Sequence, residues 1–170
     1  MSTTGNLPTK SPSDSVTEMA QVVLPNDANP LGFILGGTVM HLIDIAGVIA
    51  GHRHTRSLLV TAAVDGLEFL HPIKVGDLII LRARVTCTFQ TSFEVSVEVL
   101  SEEILTGAQR VTSRAFLTFV AVDTDGQPIP VPPLRAETAE DERLVKEAHR
   151  RRKVRLETKL KRKNETGTSH

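Results

Sequence analysis

Asp44 is the residue in this sequence whose placement most needs a chemical explanation. It stands between Ile43 and Ile45, with Ala46 beyond, inside an apolar run from Val39 to Ala50. Burying an unpaired carboxylate costs several kcal/mol or raises its pKa, so a carboxylate kept there reads as a functional acid, base or nucleophile. The structural alternative is a polar stripe with His41 and an ordinary hydrogen bond. Upstream, Gly36-Gly37 offers backbone N–H groups at the positive end of the same helix, with no side chains to obstruct a ligand. Such a corner can hold a carbonyl oxygen that becomes an oxyanion, although many helices simply begin after a glycine-rich turn. Seven or eight residues separate the glycines from Asp44, roughly 11 Å at 1.5 Å per residue. That is long for one site and fits better if carbonyl donor and carboxylate belong to different subunits.

The helix carrying Asp44 is predicted from Thr38 to about His54. Val39, Leu42, Ile43, Ala46, Val48, Ile49 and Ala50 make it apolar nearly all round, which implies burial on most sides. Its end gathers His52, Arg53, His54 and Arg56, which suit the negative pole of a helix dipole; the His-x-His pair is read this way, and no metal or cofactor is expected. A strand over Val16 to Leu24 precedes it, followed by a loop through Pro25, Asn29, Pro30 and Gly32. Downstream the period drops to two: Ala83, Val85, Cys87 and Phe89, then Phe93, Val95, Val97 and Val99, then Val111 to Ala121 alternate with polar residues, as half-buried strands do. Leu58 to Leu70 reads as one more strand, although Asp65-Gly66 alone would suggest a hairpin turn. One buried helix with one antiparallel sheet is an α+β layout.

At 170 residues and 40% hydrophobic content the chain suits one core with tails. Residues 1–15, rich in Ser, Thr, Pro and Gly, read as a flexible leader; 16–133 form the domain, and 134–170 a charged helical tail. The single Cys87 excludes an internal disulfide framework, and the start lacks the pattern of a signal peptide, so the expected location is cytoplasmic. The longest apolar run falls short of the roughly 20 residues of a membrane span. Net charge is zero, yet residues 143–163 hold eleven Lys or Arg against Glu147 and Glu157. That asymmetry suits an anionic ligand, a subunit contact, nucleic acid, or merely a solvated helix.

Asp27-Ala28-Asn29, Gly32, Gly36-Gly37, Met40 and Asp44-Ile45-Ala46-Gly47 together resemble the signature of hotdog-fold acyl-CoA thioesterases. Ala63-Val64-Asp65, Phe69, Pro72-Ile73, Val75-Gly76-Asp77 and Thr118 to Asp123 with Gly126, Pro128 and Pro130 extend the resemblance over about Val16 to Pro133. It implies a sheet wrapped around the central helix, dimers sharing one continuous sheet and often a trimer of dimers, with active sites at the dimer interface. It implies hydrolysis of acyl-CoA to fatty acid and CoA, with Asp44 as catalytic carboxylate, Asn29 of the opposing subunit as its polar partner, and Gly36 or Gly37 as amide donor. It also places Thr91-Ser92 where CoA is contacted. Asn29 in a tight turn and hydroxyls at a strand turn have structural readings too. Among the basic residues of the tail, Arg150 to Arg155 are candidates to meet the phosphates of CoA.

Two rivals remain at this level. A dehydratase acting on acyl thioesters would use His41, one turn before Asp44. A non-catalytic acyl-CoA sensor or nucleic-acid binder would use the basic tail; nucleic acid is not expected, because no helix-turn-helix precedes the domain and aromatic residues, at 4% with no Trp or Tyr, offer few stacking platforms.

Overall fold

A computed structural model describes residues 7–166 of the chain. Strand β1 (Thr17–Val22) leads into helix α1 (Gly36–Thr55), followed by β2 (Leu58–Phe69), β3 (Leu78–Thr88), β4 (Ser92–Glu102), β5 (Gln109–Val122) and helix α2 (Ala139–Thr166). The five strands form one antiparallel sheet in the order β1-β3-β4-β5-β2, which wraps one face around α1. This is the expected α+β layout, with β2 at one edge.

Alternation decides which side chains reach the helix. Leu81, Ala83 and Val85 of β3, Phe93, Val95 and Val97 of β4, and Ala115, Leu117 and Phe119 of β5 join Val39, Ile43, Ala46 and Ala50 of α1 in one core. Two small residues let the helix settle this close. A Cβ on Gly47 would lie 3.0 Å from the Phe119 ring, and one on Gly51 would lie 2.6 Å from Leu59 Cδ1 and 2.8 Å from Phe93 Cζ. The helix begins two residues earlier than its apolar pattern suggests, taking both glycines into its first turn, and ends with Arg56 in the left-handed conformation (φ 54°), its N–H donating to the His52 carbonyl.

Asp65-Gly66 is not a hairpin turn. β2 runs through it, and the register against β5 shifts between Asp65 and Glu68, so Gly66, at φ +62°, absorbs an irregularity within one long strand. The segment read as a flexible leader is partly packed: Lys10 pairs its backbone with Pro133 and Arg135, and the buried Ser15 hydroxyl accepts the Val85 N–H at 2.9 Å. Those bonds order residues whose side chains bury little apolar surface. Residues 1–6 of that leader lie outside the described residues.

The tail helix lies across the opposite face of the sheet. Thr138 and Asp141 exchange a capping box, Thr138 Oγ1 accepting the Asp141 N–H at 3.1 Å and Asp141 Oδ2 accepting the Thr138 N–H at 3.0 Å. Arg84 of β3 pairs with Asp141 at 3.0 Å, and Leu144 and Ala148 are buried. Arg151 then grips Glu94 with two bonds of 2.9 and 2.8 Å while its guanidinium lies 3.6 Å from the centroid of the Phe116 ring. Sparse apolar content pointed to a helix without a deep core; three ion pairs, the last from Arg155 to Asp65 at 2.5 Å, supply what the apolar stripe lacks.

Candidate active site

Asp44 sits in the third turn of α1, on the side facing the edge strand β2. It is half-buried, and its Oδ1 accepts a hydrogen bond of 2.8 Å from Thr61 Oγ1. One carboxylate oxygen is thus fixed across the gap between helix and strand, and no bond to Oδ2 is found among the described residues. Burial of α1 is one-sided within a single chain: Val39, Ile43, Ala46 and Ala50 are buried, whereas Met40 and His41 are exposed and Asp44, Ile45 and Val48 only half-covered. The stripe containing Asp44 is therefore the one the chain leaves open.

At the other end of α1, the N-cap residue Leu35 makes no side-chain capping bond, so the first amides, those of Gly36 and Gly37, have no intrahelical acceptor. Gly36 packs under Phe69, whose ring would meet a Cβ there at 3.4 Å, while the space beside Gly37 is open. A cleft of about 270 Å³ gathers Asn29, Gly36, Val39, Phe69, His71 and Ser113. Asn29 Oδ1 accepts the amides of Leu31 at 3.0 Å and Phe33 at 3.2 Å, so the side chain does stabilise a tight turn. That use of the oxygen aims the carboxamide rigidly and leaves Nδ2 without a bond among the described residues.

The chain brings Asn29 and Gly36 together and keeps Asp44 apart, eight residues beyond Gly36 or roughly 12 Å along the axis. Thr91 and Ser92 lie elsewhere again, at the turn between β3 and β4. Phe93 of β4 faces Phe119 of β5, which faces Thr61 of β2. The start of β4 is therefore two strand spacings, roughly 10 Å, from the residue that holds Asp44.

Other titratable groups are engaged in structure. His54 is buried and donates Nε2–H to the Pro132 carbonyl at 2.9 Å; burial depresses its pKa. Burial, with the nearby Glu94, pushes the Cys87 thiol up to about 11, far from the range of a nucleophile. His41 is exposed on α1 and is not the partner of Asp44. Among the described residues no group of His, Cys, Asp and Glu could hold a metal, and no helix is long and apolar enough to cross a membrane.

Thr61 escaped sequence reasoning. Its signal was a hydroxyl interrupting the apolar run Leu58 to Val64, but a Thr in a strand is ordinary, and only the sheet register shows that it faces Asp44.

Comparison with known proteins follows the same lines. A family model described as the thioesterase superfamily matches residues 31–108. The chain is 40% identical over 119 residues to the uncharacterized acyl-CoA thioester hydrolase YkhA of Bacillus subtilis, covering 70% of this chain and 69% of that one. It is 34% identical over 157 residues to the cytosolic acyl coenzyme A thioester hydrolase of Rattus norvegicus, covering 91% of this chain but only 40% of the rat protein. Among solved structures, an acyl-CoA hydrolase from Staphylococcus aureus in complex with butyryl coenzyme A, coenzyme A and coenzyme A disulfide superposes with a TM-score of 0.86 at 31% identity, covering 94% of this chain and 98% of that one. An apo hexameric acyl-CoA thioesterase superposes with a TM-score of 0.85 at 39% identity, covering 89% and 97%. The Staphylococcus enzyme has also been solved with an aspartate, a threonine or an asparagine replaced by alanine.

Proposed function

Since this chain belongs to the thioesterase superfamily and is an acyl-CoA thioester hydrolase, we propose that Asp44 is its catalytic carboxylate and that two copies of the chain build each active site between them. The observation that carries this reading is the Thr61–Asp44 hydrogen bond of 2.8 Å, which presents a fixed, half-covered carboxylate on the open stripe of α1. Asn29, in the loop before α1, and the amides of Gly36 and Gly37 in its first turn lie too far from Asp44 to act on one thioester with it, and would come from the opposing copy.

Support for a paired assembly comes from β2. It is an edge strand, and Leu58, Val60, Val64 and Phe69 along it are each about half exposed or more. An edge of this length and apolarity invites a second strand. Pairing two such edges continues the sheet and covers the stripe containing Met40 and Asp44. The hexameric relative supports further assembly into a trimer of dimers, and the cytosolic rat relative supports a cytoplasmic location.

In the chemistry, the glycine amides donate hydrogen bonds to the thioester oxygen as negative charge develops on it. The free oxygen of Asp44 either takes a proton from the attacking water or bonds to the carbonyl carbon itself, forming an anhydride that water then opens. Both routes break the C–S bond and yield fatty acid and CoA thiol. No step requires a cofactor.

The deciding experiment is release of free thiol from short, medium and long acyl-CoAs by the wild type and by Asp44→Asn at equal folded concentration. The reading requires robust hydrolysis by the wild type and a loss on the order of 10²-fold or more in the variant. A variant that keeps its rate removes Asp44 from the chemistry, whatever the activity of the wild type.

A further inference from the structure

β2 changes faces between the two residues that tie it down. Thr61 pairs with Phe119 and Ala63 with Thr118, so two steps along β2 match one along β5, and Ala62 is the extra residue of a bulge. Side chains alternate along a regular strand, so Thr61 and Asp65, four residues apart, would otherwise share a face. The bulge separates them. Thr61 turns toward α1 and bonds to Asp44, and Asp65 turns to the outer face, where Arg155 of α2 reaches it at 2.5 Å.

Little else holds this stretch. From Val60 to Gly66 no residue is buried, and a second register shift follows between Asp65 and Glu68. Register is weakly specified where neither face of a strand is buried, and a slip by one residue turns every side chain to the other face. Side-chain contacts must therefore choose it, and among the described residues the side-chain bonds of this stretch are those of Thr61 and Asp65. The end of α2 is docked here as well. Arg151 lies over Phe116, 3.6 Å from its ring centroid, and Phe116 is the residue that pairs with Asp65 across the sheet. From Leu156 to Glu165 the helix is exposed, so Arg155 is its last anchor.

On the reading that Asp44 does the chemistry with Thr61 holding it, we infer that Arg155 is a positioning residue for the hydrolysis: its ion pair with Asp65 pins the β2 bulge in the register that presents the Thr61 hydroxyl to Asp44. The pair is partly shielded, with Arg155 and Asp65 23% and 26% exposed, so it is screened less than a surface bridge. With its guanidinium engaged by a carboxylate, Arg155 acts on the reaction through the strand and not through the substrate. The rate is sensitive to such support, since a displacement of about 1 Å can cost about 10²-fold.

The test is a double-variant cycle on the full-length protein, with one acyl group carried by CoA or by N-acetylcysteamine, which has no phosphate. Wild type, Arg155→Ala, Arg155→Lys, Asp65→Asn, Thr61→Val and the pair Thr61→Val with Arg155→Ala are assayed at equal folded concentration. Lys146→Ala, which removes the same charge from an exposed site on the same helix, is the control. We expect Arg155→Ala and Asp65→Asn each to lower kcat about tenfold with KM for acyl-CoA unchanged, and the phosphate-free thioester to lose as much. Arg155→Lys should recover most of the rate, and Lys146→Ala should behave as wild type. In the Thr61→Val background Arg155→Ala should cost nothing further, because the bond it supports is already gone. The inference is overturned if Arg155→Ala keeps the wild-type kcat, if Lys146→Ala loses as much, or if the losses of Arg155→Ala and Thr61→Val multiply. A loss confined to KM for acyl-CoA overturns it too, as the mark of a contact with CoA itself. Should Arg155→Ala not fold, Asp65→Asn, which keeps the shape and removes the charge, carries the same comparisons. Failure of the underlying reading looks different: Thr61→Val or Asp44→Asn would then keep the wild-type rate, and the inference would fall with it.

Discussion

Thr61 Oγ1 and Asp44 Oδ1 are joined at 2.8 Å across the gap between β2 and α1, so the orientation of the carboxylate is set by the edge strand and not by its own helix. A hydrogen bond to a charged group contributes about 1.5–3 kcal/mol. If it holds Asp44 for the reaction, Thr61→Val, which keeps the shape and removes the donor, lowers kcat roughly 10- to 100-fold with little change in KM, and Thr61→Ser restores most of it. Steady-state kinetics of the two variants check this. A loss in Thr61→Ser as large as in Thr61→Val would make the methyl group, not the hydrogen bond, the feature that matters.

Gly51 is where α1 comes closest to the sheet. An alanine methyl there would stand 2.6 Å from Leu59 Cδ1 and 2.8 Å from Phe93 Cζ, and Phe93 is fully buried and cannot swing away cheaply. Overpacking of this kind costs about 1–3 kcal/mol, which outweighs the gain in helix propensity of about 1 kcal/mol. Urea unfolding of Gly51→Ala will show a lower midpoint at unchanged slope, and a variant as stable as the wild type would mean that helix and sheet can part locally at no cost.

Glu94 is 2% exposed, and beyond the Thr86 hydroxyl at 2.8 Å its charge is met by Arg151. Removing one partner of a buried pair strands the other, at about 3–5 kcal/mol. Arg151→Ala should therefore destabilise the fold far more than Lys146→Ala. Adding Glu94→Gln to Arg151→Ala should recover much of the loss, because the stranded charge is gone. Equal stability of Arg151→Ala and the double variant would locate the cost in the lost Phe116 contact instead.

His54 gives stability a pH dependence of definite sign. Burial is the largest cause of its lowered pKa, and the ring is held neutral with Nε2–H donating to Pro132. Below the ordinary value of 6.5 the unfolded chain takes up a proton that the folded chain resists. The stabilising contribution is therefore complete above that value and is lost as pH falls toward the depressed folded one, by about 1.4 kcal/mol per unit within that window. His54→Gln retains an N–H donor without a titration. The difference in unfolding free energy between it and the wild type should shrink as pH drops below 6.5, and a constant difference would mean that His54 titrates alike in both states.

Most of the fold was written in periodicity. The shift from a helical to an alternating pattern after Leu70, and the glycines and prolines between strands, place α1 and the strands to within a few residues. What pattern could not convey is pairing across the sheet. Thr61 reads as one more strand residue until the sheet packs against α1 and brings its hydroxyl to Asp44. Glu94 reads as a solvent-facing member of an alternating strand until Arg151 covers it. Asp65-Gly66 has the composition of a turn, yet the pairing of β2 with β5 on both sides carries the strand through. Ion pairs between distant segments leave no periodic trace, so the docking of α2 was hidden while the helix itself was plain.

If two copies share each site, defects in different parts of it must complement. Asn29 and Gly36 line one cleft, while Asp44 lies about 12 Å away along α1, so in a pair one copy supplies the carboxylate and the other the carbonyl-binding corner. Asp44→Asn and Asn29→Ala are then each defective alone. In a mixed dimer one site collects both lesions and the other collects neither. Dissociating and reassembling an equal mixture should bring activity up to about a quarter of wild type, because half of the dimers are mixed and each keeps one intact site. Activity that never exceeds the average of the two parents would place Asn29 and Asp44 in the same copy's site, and the separation seen along α1 would then have to be closed by movement of the Asn29 turn.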